Sequence, residues 1–112
     1  MLLKRDKIIL QKVFEEITYL ETTLKGFTLE TFIANEDKKR VAAMTLLNMG
    51  ELVKNLSIEF IQSARSFPLK EMRGLRHIAA HEYYALRFND IWETIQNDIP
   101  SLKKQVQDFL AD

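Results

Sequence analysis

The sequence contains no cysteine and little glycine or proline, and these absences narrow the kinds of protein it can be. Without cysteine there can be no disulfide, no thiolate nucleophile and no cysteine-based zinc site. Because only three glycines and two prolines occur in 112 residues, long segments can remain helical. The lack of cysteine is compatible with a cytoplasmic protein, which is the location we expect.

A charge excess of either sign is also missing, since sixteen basic side chains balance sixteen acidic ones. Proteins that coat nucleic acid through bulk charge need many cationic contacts, so this balance argues against that class. A local phosphate site made by two or three arginines is compatible with it. No apolar run approaches the roughly 20 residues that cross a bilayer. The opening residues, MLLKRDK, also lack the apolar core of a signal peptide, so we expect neither a membrane span nor a leader.

The spacing of apolar residues predicts an all-α fold, an antiparallel helical bundle with four main helices and one or two short ones. The predicted helices cover residues 4–24, 28–34, 36–56 and 57–66, then a helix from 68 that ends between 83 and 86, and a last region from about 89 onward. The helix at 36–56 is apolar over most of its girth, so it should be central. Gly50 in its middle costs about 1 kcal/mol against alanine, which predicts close approach by a neighbouring helix.

Turn-forming and capping residues predict where these helices begin and end. Gly26 should stop the first helix, and Pro68 suits the first turn of the helix at 68–86. Asn89 and Asp90 are predicted to cap the last region. Pro100 must kink or divide that region because it has no N–H to donate. Since no linker or repeat is evident, residues 1–112 are predicted to form a single domain.

Groups that bind phosphate or transfer protons concentrate in the segment RHIAAHEYY, which holds both histidines of the chain. At about 100° per residue, Arg73, His77 and nearly His81 line up on one side of a helix. Arg76 and Tyr83 share another side, and Arg76 and His81 are about 140° apart. One substrate can meet both only across a groove, near a frayed helix end, or with a partner chain. A two-fold dimer that packs this helix against its copy would bring two such sets together.

Four uses of this segment stay open on its residues alone. It can be a surface helix with solvated arginines, or a docking surface on which Tyr83 or Tyr84 is modified. His77 and His81 have the spacing to share zinc, but no third ligand is evident and glutamate does not follow the first histidine. An Arg–His pair also suits metal-free RNA cleavage, because histidine moves protons at neutral pH and a guanidinium binds phosphate.

Several ordered blocks make the sequence resemble a known family. The pattern Arg76-x-x-x-x-His81-x-Tyr83 resembles the signature of HEPN-domain ribonucleases, and specifically of the small HepT-like toxins encoded beside a minimal nucleotidyltransferase antitoxin. The blocks MGEL, PLKEMRGLR and WETIQNDIPSL are similar to segments of that family. Two positions depart from its pattern: His77 stands where relatives often have Asn or Asp, and Leu69 where tryptophan is common.

The resemblance implies a HEPN-like homodimer with its cleft at the two-fold axis, and a metal-independent endoribonuclease with no cofactor. By position, Arg76 would bind the scissile phosphate, His81 would be the acid–base residue, and Tyr83 would line the cleft. The remaining candidates for substrate binding or support are Arg73, His77 and Glu51.

The family also implies how such a toxin is neutralised. Its cognate nucleotidyltransferase antitoxin would transfer AMP from ATP to Tyr83, and the added bulk and negative charge would block RNA binding. The alternative is a non-catalytic HEPN protein that binds a nucleotidyltransferase and presents nucleotide or substrate to it.

Overall fold

The computed structural model describes residues 2–111, which form helices joined by short turns. The long helices are α1 (Lys4–Thr23), α3 (Glu36–Val53), α5 (Leu69–Tyr84) and α7 (Ile99–Leu110), and the short ones are α2 (Leu29–Ile33), α4 (Ile58–Ser63) and α6 (Phe88–Glu93). No strand occurs among the described residues, so the predicted all-α bundle is confirmed. None of the described helices has the length and apolar content needed to cross a membrane.

Helix α3 is central, because both α1 and α5 pack against it. Its apolar residues, which cover most of its circumference, predict this position. Its buried side chains include Ala42, Leu46, Met49 and Val53, and α5 contributes Met72, Leu75 and Ala79. Helices α3 and α5 run antiparallel: Gly50 near the end of α3 lies against Arg76, whereas Glu36 at its start reaches Tyr83. The α3–α5 pair is therefore the frame that holds the candidate site.

Gly50 marks the closest approach of α5 to α3. A Cβ atom built on Gly50 would lie 2.9 Å from both the Cβ and the backbone nitrogen of Arg76. Glycine has no Cβ atom, so the backbones of α3 and α5 can approach each other closely at Gly50. The predicted close approach is thus present, and it sets the position of Arg76 relative to α3.

The chain reverses after α5 in a way that the sequence did not predict. Leu86 has a φ of 61°, a left-handed conformation in which glycine is usual. The N–H of Leu86 donates to the carbonyl of Tyr83 at 3.1 Å, and that of Arg87 to the carbonyl of Glu82 at 2.8 Å. These bonds satisfy the last carbonyls of α5 in a Schellman turn.

This turn explains why the predicted caps of the last helical region are wrong. Helix α6 begins at Phe88, so Asn89 and Asp90 lie inside it, and Arg87 occupies the N-cap position without a side-chain hydrogen bond. The division predicted from Pro100 is present, because a π-helical turn at Thr94–Asp98 separates α6 from α7 and the proline lies in the first turn of α7.

Asp6 is a buried acidic residue that joins α1 to the start of α4. Its two carboxylate oxygens accept hydrogen bonds from the backbone N–H of Ser57 at 2.8 Å and from its hydroxyl at 2.6 Å. The Ser57 hydroxyl in turn accepts from the N–H of Phe60 at 3.0 Å, which caps α4. The position of α4 therefore depends on one carboxylate of α1.

We expect Asp6→Ala to lower the free energy of unfolding by about 2–3 kcal/mol, because it leaves the two Ser57 donors without their charged acceptor. Urea unfolding followed by circular dichroism measures the change. The matched control is Glu15→Ala, an exposed acidic position of the same helix, for which we expect a change within about 0.5 kcal/mol. Equal effects of the two substitutions would contradict this role of Asp6.

Candidate functional site

Arg76 lies on the side of α5 that faces the end of α3. Its Nε pairs with Oε1 of Glu51, whose other carboxylate oxygen is 3.3 Å from the ammonium of Lys54. The side chain of Arg76 is nevertheless 60% exposed. Glu51 therefore holds the guanidinium at the surface, where a phosphate can compete for it through bidentate hydrogen bonds.

The two histidines lie on a different side of α5, exposed to solvent. Their rings stack with centroids 5.3 Å apart and planes inclined by 9°, as their four-residue spacing allows. Nε2 of His81 is 3.7 Å from Oε1 of Glu82. Arg73, one turn before His77, is also exposed. This side of α5 thus presents a cation followed by two imidazoles.

Within one chain the structure separates the arginine of the motif from its second histidine. Arg76 pairs with Glu51 and His81 stacks on His77, and no hydrogen bond, ion pair or ring contact joins Arg76 to His81 in residues 2–111. A groove of about 900 Å³ between α1 and α3 reaches Glu51 but is not lined by either histidine. One phosphodiester therefore needs a further surface if it is to contact both side chains.

Tyr83 contacts Glu36, a residue that sequence reasoning did not single out for the site. The Tyr83 hydroxyl donates to Oε1 of Glu36 at 3.4 Å. Glu36 also pairs with Lys39 at 3.1 Å and Arg40 at 3.3 Å. Lys39 contributes most to lowering the pKa of the Glu36 carboxyl. Burial opposes this effect, and Arg40 and Tyr83 add to it. The acidic start of α3 hints at the cluster, but nothing in the sequence links it to Tyr83.

The two neighbouring tyrosines have different environments. The ring of Tyr83 is half-buried and packs edge-on against Phe88, with centroids 5.4 Å apart. Tyr84 is 85% exposed. The centroid of its ring lies 5.9 Å from that of Tyr83. Tyr83 is therefore held in one place by the fold, whereas Tyr84 projects into solvent.

The carboxyl group of Glu82, beside His81, is influenced by that of Asp90 in α6. The interaction with Asp90 is the main cause that raises the pKa of Glu82, and burial adds to it, while Arg87 and His81 act in the opposite direction. Sequence reasoning missed this pair, which couples the end of α5 to α6.

Glu82→Gln should make folding stability less dependent on pH. Because the folded pKa of Glu82 is raised above its ordinary value of 4.5, its contribution is complete below about pH 4.5 and is lost as the pH rises through the folded pKa. Glutamine does not titrate in this range, so the variant lacks this pH-dependent contribution. Urea unfolding across this range measures the difference, with Glu71→Gln, an exposed position of α5, as the control. Parallel curves for wild type and Glu82→Gln would contradict the raised pKa of Glu82.

A model of the HepT-like ribonuclease family matches residues 13–109. The chain belongs to the HepT-like ribonuclease family. The resemblance carried by the Arg–His–Tyr pattern is thereby confirmed at the level of the family. In residues 2–111 of this HepT-like chain, no group of three or more histidines or acidic residues is placed to hold a metal ion.

Full-length relatives agree with the match to this family. The putative RNase of Caldanaerobacter subterraneus subsp. tengcongensis is 35% identical over 108 residues, which cover 96% of this chain and 96% of the relative. A putative RNase of Methanocaldococcus jannaschii is 29% identical over 110 residues, covering 97% and 91%. The probable ribonuclease HepT of Thermococcus cleftensis is 28% identical over 100 residues, covering 89% and 91%. No solved structure matches the chain.

Proposed function

We propose that this HepT-like protein is a metal-independent endoribonuclease whose active site forms in a cleft between two copies of the chain. The observation that carries the proposal is the exposure of Arg76 and His81 on different sides of one helix. If α5 packs against its copy about a two-fold axis, the arginine of one chain can meet the histidine of the other. An isologous contact of this kind creates two equivalent sites.

The chemistry of the two side chains fits cleavage of an RNA phosphodiester. His81 can transfer a proton to or from the reacting oxygens at neutral pH. Arg76 can bind the phosphate in a bidentate way and stabilise the charge that develops on it. Arg73, His77 and Tyr83 would contact the RNA, and Glu51 would orient the guanidinium of Arg76 until the substrate arrives.

The direct test is to incubate the purified protein with total RNA in the presence of EDTA. We expect cleavage to persist when EDTA removes divalent metal ions, because side chains carry out the proton transfer and the phosphate binding. Light scattering on the same preparation should give the mass of a dimer. A protein that cleaves no RNA, or that cleaves only when a divalent metal is added, would contradict the proposal.

We further infer that the protein acts in the cytoplasm, as one domain, as the toxin of a toxin–antitoxin pair neutralised by a nucleotidyltransferase. In that reaction the Tyr83 oxygen bonds to the α-phosphorus of ATP and pyrophosphate leaves. Tyr83 lies on the same side of α5 as Arg76, and both contact α3. AMP on Tyr83 would therefore add negative charge near the position of the substrate phosphate and exclude RNA.

Mass spectrometry after incubation with ATP and the cognate nucleotidyltransferase identifies the modified tyrosine. We expect AMP on the wild type and on Tyr84→Phe, and none on Tyr83→Phe, because Tyr83 is the one held against α3. AMP that persists on Tyr83→Phe would contradict the assignment.

A second candidate function is that of a non-catalytic partner of a nucleotidyltransferase. The ion pair between Arg76 and Glu51 favours it, because the guanidinium is already occupied in the isolated chain. A protein with this function would bind the nucleotidyltransferase and leave RNA intact. The cleavage assay therefore separates the two functions.

A further inference from the structure

A second imidazole lies directly beside the proposed catalytic histidine. We propose that His77 is also a catalytic residue, acting as the general base in RNA cleavage while His81 acts as the general acid. This inference rests on the proposed ribonuclease function and assigns its two proton transfers to two residues.

The geometry of the pair supports this division. The rings of His77 and His81 are parallel within 9°, their centroids are 5.3 Å apart, and both are exposed on the same side of α5. Their ring edges therefore face the same space side by side. RNA cleavage requires a proton to leave the 2′-hydroxyl and another to reach the 5′-oxygen, so two adjacent groups can serve two different oxygens.

The charges around the two rings differ and favour one assignment. A protonated His81 has an ion-pair partner, because its Nε2 is 3.7 Å from a carboxylate oxygen of Glu82. Within the described residues no carboxylate lies at ion-pair distance from His77, and Arg73 precedes it by one turn. His77 is thus suited to accept a proton, and His81 to donate one.

The proposed step balances without any further reactant. The neutral imidazole of His77 takes the proton of the 2′-hydroxyl as the 2′-oxygen bonds to phosphorus. The bond from phosphorus to the 5′-oxygen breaks, and that oxygen receives the proton of His81. The products are a 2′,3′-cyclic phosphate and a 5′-hydroxyl, with His77 protonated and His81 neutral. Exchange of protons with water restores both histidines.

The test compares two versions of a short RNA that the wild type cleaves. One has the natural linkage, and in the other a sulfur replaces the 5′-oxygen at the cleaved bond, so that the leaving thiolate needs no proton. We expect His81→Ala to lose about 10²–10⁴-fold in rate on the natural RNA and to recover most of it on the sulfur-containing RNA. His77→Ala should lose a similar factor on both RNAs.

His77→Phe separates catalysis from support, because phenylalanine keeps a flat ring against His81 but accepts no proton. We expect it to be as slow as His77→Ala. Near wild-type cleavage by His77→Phe would overturn the proposal by showing that the ring only packs. Recovery of His77→Ala on the sulfur-containing RNA would overturn the assignment of His77 as the base. If no RNA that the wild type cleaves can be found, the proposed ribonuclease function fails, and this inference fails with it.

Discussion

Arg76→Ala and His81→Ala should each lower the rate of RNA cleavage by about 10²–10⁴-fold. In the proposed mechanism His81 transfers a proton, and Arg76 stabilises the negative charge that develops on the phosphate in the transition state. Both side chains are exposed, so neither substitution should disturb the core. Arg76→Lys should remain slow, because lysine keeps the charge but loses the planar, bidentate contact.

The measurement is the initial rate on labelled RNA, with thermal unfolding recorded for each variant. Lys7→Ala, an exposed cation on α1, is the matched control and should cleave RNA like the wild type. A normal rate for either active-site variant would remove that residue from the mechanism.

Gly50→Ala should lower both stability and cleavage, although alanine is the better helix former. The new Cβ would lie 2.9 Å from the backbone nitrogen and Cβ of Arg76, so α5 has to move away. Overpacking of this kind costs about 1–3 kcal/mol, against a gain of about 1 kcal/mol in helix propensity. Because the shift displaces Arg76, we expect cleavage to fall by up to about 10²-fold.

Gly74→Ala is the matched control for Gly50→Ala. Gly74 also lies inside a helix, but a Cβ built there meets nothing within 4 Å. We expect this substitution to raise the free energy of unfolding by about 0.4–1 kcal/mol, since alanine restricts the unfolded chain. Urea unfolding measures both variants, and changes of the same sign would contradict the close approach at Gly50.

The features that the sequence predicted are those that depend on local periodicity. Apolar residues that recur every three or four positions predict the long helices, because each helix must bury one face. Apolar residues around most of α3 predict its central place. Gly50 indicates a contact because glycine inside a helix has a cost that packing must offset. The separation of Arg76 from His81 follows from about 100° per residue in α5.

The features that the sequence did not predict depend on contacts between residues that are distant in the chain. The bond from Tyr83 to Glu36 joins positions 47 residues apart, and only the antiparallel packing of α3 and α5 brings them together. Leu86 adopts a conformation that is rare for its side chain, so no residue signal marks the Schellman turn after α5 or the start of α6 at Phe88. The pairing of Glu82 with Asp90 depends on that same turn.

The most direct test of a site shared by two copies is to mix Arg76→Ala with His81→Ala. If each site takes its arginine from one chain and its histidine from the other, every mixed dimer holds one intact site and one doubly defective site. Half of the dimers should be mixed after random exchange, so cleavage should return to about a quarter of the wild-type rate. No recovery in a preparation shown to contain mixed dimers would contradict the shared site.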